Sequence, residues 1–276
     1  MTLHSQDTRS LLIFFALAYF CSWSVWVLIA ADFVHPLLTG VGASAPSLVA
    51  IFLTYRGGGK LLLRRLVRRA LPRRVDTPVY VAAVCIPFVT VGIGLGAYSF
   101  VAATPIALEV PFPWFLVPLH LVAGLIFLGP VQEEFGWRGF ALPRLLTSLR
   151  PVPGSLVLGL LWSLWHLPLF WIDGSFQSHQ PFWLFLLSTV ALSLPYTLLY
   201  LMTGRRLAAP LVFHVSTNTA ATVALYEPTV RGNLGPLVAT TVITTLVGMG
   251  AAMLLSSRHE VQGPGPCEDP SETHPV

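Results

Sequence analysis

The sequence predicts an all-α membrane protein, a polytopic helical bundle of about eight transmembrane helices. Of its 276 residues 54% are hydrophobic and only 10% are charged, and the mean hydropathy is +0.72. A soluble domain carries about one quarter charged residues, so a soluble fold is disfavoured. The net charge of +4 does not indicate nucleic-acid binding, because the basic residues lie between apolar runs instead of on a solvated face.

Eight stretches match the length of a membrane span, about 20 mostly apolar residues. The first is predicted to be a retained helix and not a signal peptide, because no convincing small-residue cleavage pattern follows it. The fourth is the least regular, since its apolar run ends in a Gly129-Pro130 break followed by two glutamates. The predicted spans are 11–31, 36–55, 79–102, 113–135, 155–172, 182–202, 208–226 and 234–256.

These spans predict a single transmembrane domain over residues 1–261, with a motif-bearing core at about 114–226. Residues 262–276 are rich in Pro, Gly and acidic residues, which predicts a disordered cytoplasmic tail. The 3 cysteines are far apart in the sequence, so neither a disulfide framework nor a cysteine zinc site is indicated.

The positions of Lys and Arg predict the orientation, because cytoplasmic loops are enriched in positive charge. If the strongly basic 56–74 loop is cytoplasmic, eight spans leave only Arg231, of the 16 basic residues, on the opposite side. Both termini are then cytoplasmic, and the chain is predicted to be a multi-pass protein of the inner or plasma membrane. The basic 60–74 stretch has leucines at helical spacing and is predicted to lie on the anionic inner leaflet. The residues assigned to the cytoplasmic side are Arg9, Arg56, Lys60, Arg64, Arg65, Arg68, Arg69, Arg73, Arg74, Arg138, Arg144, Arg150, Arg205, Arg206 and Arg258.

Two adjacent glutamates follow directly on the fourth apolar run, where ionisable side chains are costly and are by default functional candidates. Glu134 and Arg138 are four residues apart, so on a helix they can form an ion pair. Glu133 points about 100° away around the helix. Its carboxylate is therefore able to hold a water molecule and to act as a general base. The plainer interpretation is that both glutamates are solvated at a helix end.

Two further spans carry polar side chains that can face the protein interior. His166 lies in the fifth span, with Trp162 one turn earlier on the same face, where an indole can wall the imidazole from lipid. His214 and Asn218, four residues apart, project together from the seventh span. Each of these alone is equally well explained by a hydrogen bond between membrane helices.

The depth of these side chains argues against coincidence. At about 1.5 Å per helical residue, His166 and Asn218 are each roughly 16 Å from the cytoplasmic starts of their predicted spans, and His214 is roughly 10 Å from its own. Glu133 is roughly 15 Å from the cytoplasmic end of its helix if that helix continues to about Pro143. One carboxylate, two imidazoles and one amide at the same level can surround a water molecule and a polarised carbonyl.

Together these residues resemble the CPBP family, which contains the type II CAAX prenyl proteases and bacteriocin-processing or lysostaphin-resistance-like proteins. The signature of that family is EExxxR, then FxxxH, then HxxxN. The chain carries Glu133-Glu134 to Arg138, Trp162 to His166, and His214 to Asn218, in this order on three separate spans. It departs from the family at Trp162, where phenylalanine is usual, which keeps an aromatic wall but changes the shape of the pocket.

The resemblance implies an eight-helix intramembrane endopeptidase whose site opens toward the cytoplasm and the membrane. It further implies that Glu133 with His166 activates the attacking water, that His214 and Asn218 stabilise the oxyanion, and that Glu134, Arg138 and Trp162 support them. No cofactor is favoured, although a zinc-dependent version would use the side chains of Glu133, His166, His214 and Asn218 as ligands. The absence of HExxH and the rarity of amide zinc ligands favour the metal-independent mechanism.

Two other functions remain open from the sequence. A proton-coupled transporter would also place Glu and His within the membrane, but the two halves of the chain show no convincing repeat. A bacteriocin-resistance or maturation protein would keep the pocket without turnover. For the protease, the expected partners are the lipid bilayer and a peptide or membrane-anchored protein substrate, such as a CAAX-type C-terminus or a leader or bacteriocin-type peptide.

Overall fold

A computed structural model of the chain describes residues 3–106, 114–226, 230 and 233–262. The described residues are almost entirely helical and contain no strand, as expected of a polytopic helical bundle. The predicted tail, 262–276, lies outside them apart from the backbone of its first residue. The helices are α1 (Leu3–Ala30), α2 (Thr39–Ala43), α3 (Ala45–Arg68), α4 (Thr77–Ala102), α5 (Val117–Phe127), α6 (Pro130–Gly136), α7 (Leu142–Leu145), α8 (Pro151–Trp165), α9 (Phe182–Met202), α10 (Ala208–Tyr226) and α11 (Leu234–Gln262).

The chain is a multi-pass membrane protein. Six stretches of the described residues are long and apolar enough to cross a membrane, and each coincides with one of the predicted spans. The seventh predicted span is α10, whose 19 residues suffice in length but include polar side chains near its middle. The count of eight stays a prediction. The six stretches are Asp7–Ala30, Pro36–Arg68, Arg74–Ala102, Pro151–Trp171, Phe182–Met202 and Leu234–Ser257.

The fourth predicted span is broken into short segments. Helix α5 ends at Phe127, and Gly129, with φ of 102°, turns the chain in a conformation that favours glycine. Pro130 then opens α6, where its missing N–H costs nothing. The polypeptide continues through a π-helical turn at Trp137–Ala141 into α7. Glu133 is thus followed by helical backbone as far as Leu145, as the depth argument required.

The fifth span differs from its predicted bounds of 155–172. Helix α8 begins four residues earlier, at Pro151, and ends at Trp165. A 3-10 turn, Leu167–Trp171, follows, since Pro168 removes a backbone donor and disfavours continued α-helix. His166 therefore sits at the junction between the helix and the turn and not within a continuous span.

One basic residue is misplaced by the orientation argument. Arg138, counted among the cytoplasmic charges, is fully buried between the helices and pairs with Glu134. The error arises because a residue that follows an apolar run in the sequence can lie either in a solvated loop or in a buried turn, and the sequence does not distinguish the two. Arg231, assigned to the other side, lies outside the described residues.

Helix α9 packs against α8 and α11, and α4 packs against α10 and α11. Helix α6 lies against α3, where Gly136 allows close approach: a Cβ there would lie 2.7 Å from the backbone of Pro46. The broken fourth span is thereby held inside the bundle, with its glutamates facing α8 and α10.

Candidate active site

Glu133 is the carboxylate at the centre of the site. It is in the first turn of α6 and only 5% exposed. Its Oε2 accepts hydrogen bonds from Trp137 Nε1 at 3.1 Å, one turn along the chain, and from Trp162 Nε1 of α8 at 2.7 Å. Because two indoles hold Oε2, the carboxylate has a fixed orientation that directs Oε1 toward α10.

Glu134 lies behind Glu133 in a fully buried ion pair. Its Oε1 is 2.8 Å from Arg138 Nη1 and 2.8 Å from His214 Nδ1. The Arg138 guanidinium also lies over the rings of Trp162 and Tyr196, 4.3 and 3.9 Å from their centroids. Attraction to two aromatic faces and one carboxylate compensates the burial of this cation. The ion pair expected from the four-residue spacing is present.

His214 connects the two glutamates. A carboxylate paired with arginine accepts hydrogen bonds, so His214 Nδ1 donates to Glu134. The other ring nitrogen, Nε2, then faces Glu133 and lies 4.0 Å from its Oε1. This separation exceeds a direct hydrogen bond and suits a bridging water.

Gly129, at the break after α5, lies beside the same polar side chains. A Cβ on this residue would lie 2.8 Å from Glu133 Oε1, 3.4 Å from His214 Nε2 and 3.6 Å from Asn218 Nδ2. Asn218 Nδ2 donates to the carbonyl of Leu128 at 2.6 Å, so the amide also caps the end of α5. Both the φ of Gly129 and its close neighbours therefore require glycine here.

His166 approaches from the end of α8. Its Nδ1 is 2.8 Å from the carbonyl oxygen of Trp162, which can only accept. Nδ1 is consequently the protonated nitrogen, and in the neutral ring Nε2 is an acceptor. The rings of Trp165 and Phe185 contact the imidazole edge-on, which fixes its plane.

All four predicted catalytic residues line one cavity of about 490 Å³, which Trp162 also lines. The structure thus brings Glu133, His166, His214 and Asn218 together. Glu134 and Arg138 are not on the cavity wall but behind it, where they contact His214 and Trp162.

The zinc-dependent alternative stays an untested prediction. Within the part of the chain that the structure describes, no group of three His, Cys, Asp or Glu side chains is placed to hold a metal ion. Glu133 uses one oxygen for two indole donors, and Asn218 directs its nitrogen to a backbone carbonyl.

Three residues of the site were not predicted from the sequence. Trp137 is four residues after Glu133, a spacing that indicates contact on a helix. Gly129 was recognised only as a helix break. Tyr196, fully buried in α9 beside Pro195, contacts both Arg138 and His214. The sequence offers no signal for it beyond a tyrosine within an apolar span.

Known proteins resemble the segment that carries this site. Residues 112–220 match a family model described as type II CAAX prenyl endopeptidase Rce1-like. A curated protein of Methanococcus maripaludis named CAAX prenyl protease 2 is 31% identical over 100 residues, which are 34% of this chain and 37% of that protein. The similarity therefore spans little more than a third of either protein. The matched segment includes Glu133, His166, His214 and Asn218.

Proposed function

We propose that this chain, whose residues 112–220 are similar to the type II CAAX prenyl endopeptidases, is an intramembrane endopeptidase of the CPBP family. The observation that carries the proposal is the convergence of Glu133, His166, His214 and Asn218 on one cavity inside the bundle. A base beside a water site, together with donors for a developing negative charge, is what amide hydrolysis requires.

The attacking water is proposed to lie between Glu133 Oε1 and His214 Nε2, which are 4.0 Å apart. Glu133 takes a proton from this water, assisted by the acceptor Nε2 of His166, while the water oxygen bonds to the substrate carbonyl carbon. The carbonyl π electrons move to oxygen and form a tetrahedral oxyanion. The C–N bond then breaks, and the proton held by Glu133 passes to the leaving amine.

The oxyanion is proposed to be stabilised by His214 and Asn218. In this role His214 carries both ring protons, with Nδ1–H donating to Glu134 and Nε2–H to the oxyanion. Asn218 uses one N–H for the Leu128 carbonyl and has a second to offer. Glu134 and Arg138 are positioning residues, since they reach the reaction only through His214 and the aromatic wall.

The substrate is proposed to be a peptide or membrane-anchored protein, either a CAAX-type C-terminus or a leader or bacteriocin-type peptide. The test is reconstitution of the purified full chain with a peptide library. We expect cleavage that persists in 1,10-phenanthroline, because the arrangement of the four side chains suits a glutamate base better than a metal ion. Loss with the chelator and recovery with Zn²⁺ would establish the zinc-dependent version instead. A folded protein that cleaves no peptide would contradict the proposal.

The variant Trp162→Phe tests the indole hydrogen bond to Glu133. Phenylalanine keeps an aromatic wall but cannot donate to Oε2, which retains only the longer bond from Trp137. A hydrogen bond to a charged group contributes about 1.5–3 kcal/mol, so we expect kcat to fall roughly tenfold or more. The measurement is kcat and KM on a library-selected peptide, with Trp183→Phe, an exposed tryptophan in α9, as the matched control. An unchanged kcat would show that Trp137 alone orients the carboxylate.

A further inference from the structure

Helix α1 presents three hydrogen-bonding side chains on one face. Tyr19, Ser22 and Trp23 are separated by three and four residues, a spacing that places them on the same side of a helix. Ser22 is inaccessible to solvent, and the other two are partly buried. Each donates a hydrogen bond to a backbone carbonyl of another segment. This face of α1 is therefore turned into the bundle.

One of these side chains satisfies a backbone carbonyl at the end of α8. In a continuous α-helix the Trp165 carbonyl would accept from the Leu169 amide. That amide donates instead to the His166 carbonyl at 2.9 Å, because the chain enters a 3-10 turn. Trp23 Nε1 donates to the Trp165 carbonyl at 2.9 Å. Inside a membrane such a carbonyl needs a partner from the protein, and α1 supplies it.

Two further hydrogen bonds join the same face of α1 to α8. The Trp165 indole is 1% exposed, and its Nε1 donates to Ser22 Oγ at 2.8 Å. The Ser22 hydroxyl donates in turn to the Gly42 carbonyl of α2 at 2.8 Å. The Tyr19 hydroxyl donates to the Leu161 carbonyl, one turn before the end of α8. The last turn of α8 is thus held at two carbonyls and one indole.

Trp165 connects this arrangement to the site. Its ring contacts the His166 imidazole edge-on, with the centroids 4.7 Å apart. It also contacts the ring of Trp137, 5.4 Å away, which donates to Glu133 Oε2 at 3.1 Å. A displacement of the Trp165 indole would consequently move the imidazole relative to the carboxylate.

We infer that Tyr19, Ser22 and Trp23 of α1 are positioning residues for His166, because they fix the end of α8 and the indole against which the imidazole packs. None of the three lines the cavity, so they reach the reaction only through α8. They also lie outside residues 112–220, the segment that resembles the known endopeptidase family. The effect on rate rests on the proposed function, whereas the effect on the imidazole rests on the hydrogen bonds alone.

Ser22→Ala tests the inference, with Ser24→Ala as its matched control. The first substitution removes the acceptor of a buried indole N–H. The second removes an exposed hydroxyl that bonds only within α1, to the Phe20 carbonyl. We expect kcat on a library-selected peptide to fall about threefold to tenfold in Ser22→Ala, the usual effect of one hydrogen bond, while KM stays unchanged. Ser24→Ala should behave as the parent does. Tyr19→Phe, which removes a single oxygen atom, is a second variant with the same expected direction.

The imidazole itself is followed by nitrogen-15 NMR in detergent, with the His166 signals assigned by comparison with His166→Gln. His166 Nδ1 lies 2.8 Å from the Trp162 carbonyl, and its resonance reports that hydrogen bond. We expect this resonance to shift in Ser22→Ala and in Tyr19→Phe but not in Ser24→Ala. A role in stability alone would lower the unfolding midpoint and leave the resonance of the folded protein in place.

Two results would overturn the inference. One is a His166 resonance that is unchanged in both Ser22→Ala and Tyr19→Phe. The other is a parental kcat in both variants when the parent protein cleaves the peptide. If the parent cleaves no peptide, the endopeptidase proposal fails, and the resonance by itself then decides whether α1 positions the imidazole.

Discussion

Glu133→Gln is expected to lower the rate of peptide hydrolysis by about 10²–10⁴-fold, the usual contribution of a general base. Glutamine has nearly the same shape, and its carbonyl oxygen can accept from the indoles that now hold Oε2. It cannot take a proton from water. The variant also removes a buried charge, so we expect the thermal midpoint in detergent to stay the same or rise. The measurements are kcat on a selected peptide and the unfolding transition of the same preparation.

The neighbouring substitution Glu134→Gln is the matched control. It too should reduce cleavage, because His214 loses its charged partner, but it leaves the buried Arg138 cation without a counter-ion. Its unfolding midpoint should therefore fall, whereas that of Glu133→Gln should not. Cleavage that survives in Glu133→Gln would remove this residue from the role of base.

Arg138→Met is expected to destabilise the fold by about 3–5 kcal/mol, the cost of removing one partner from a buried ion pair. Both side chains of the pair are inaccessible to solvent, so no water can replace the lost cation beside Glu134. The substitution also removes the cation from the faces of Trp162 and Tyr196. The free energy of unfolding in detergent, measured with a denaturant, reports the loss.

Asp7→Asn provides the comparison for that measurement. Asp7 of α1 and Arg144 of α7 form a pair of 3.7 Å, with side chains 38% and 29% exposed. An exposed pair contributes about 0–1 kcal/mol, so this variant should unfold almost as the parent does. Equal losses for Arg138→Met and Asp7→Asn would mean that the buried pair is not a major source of stability.

Local sequence rules were sufficient for the spans and for pairs within one helix. Apolar length predicts the six stretches that can cross a membrane. A spacing of four residues predicts the Glu134–Arg138 contact. The helical rise along the predicted spans indicated which residues share a depth, and the structure does bring Glu133, His166, His214 and Asn218 to one cavity.

What the sequence by itself determined about this protein is its membrane character, six of its helical spans and the four polar side chains that meet at one cavity. Only the tertiary structure decided that Trp162, 29 residues further along the chain, donates a hydrogen bond to Glu133. It likewise decided that His214 pairs with Glu134 across 80 residues and that Arg138 is buried. It also decided that Arg69, at the end of α3, donates hydrogen bonds to the Gly139 carbonyl and the Tyr200 hydroxyl. The physical reason is that helical periodicity defines a face and a depth on one helix, whereas the rotation of each helix toward its neighbours depends on packing between distant segments.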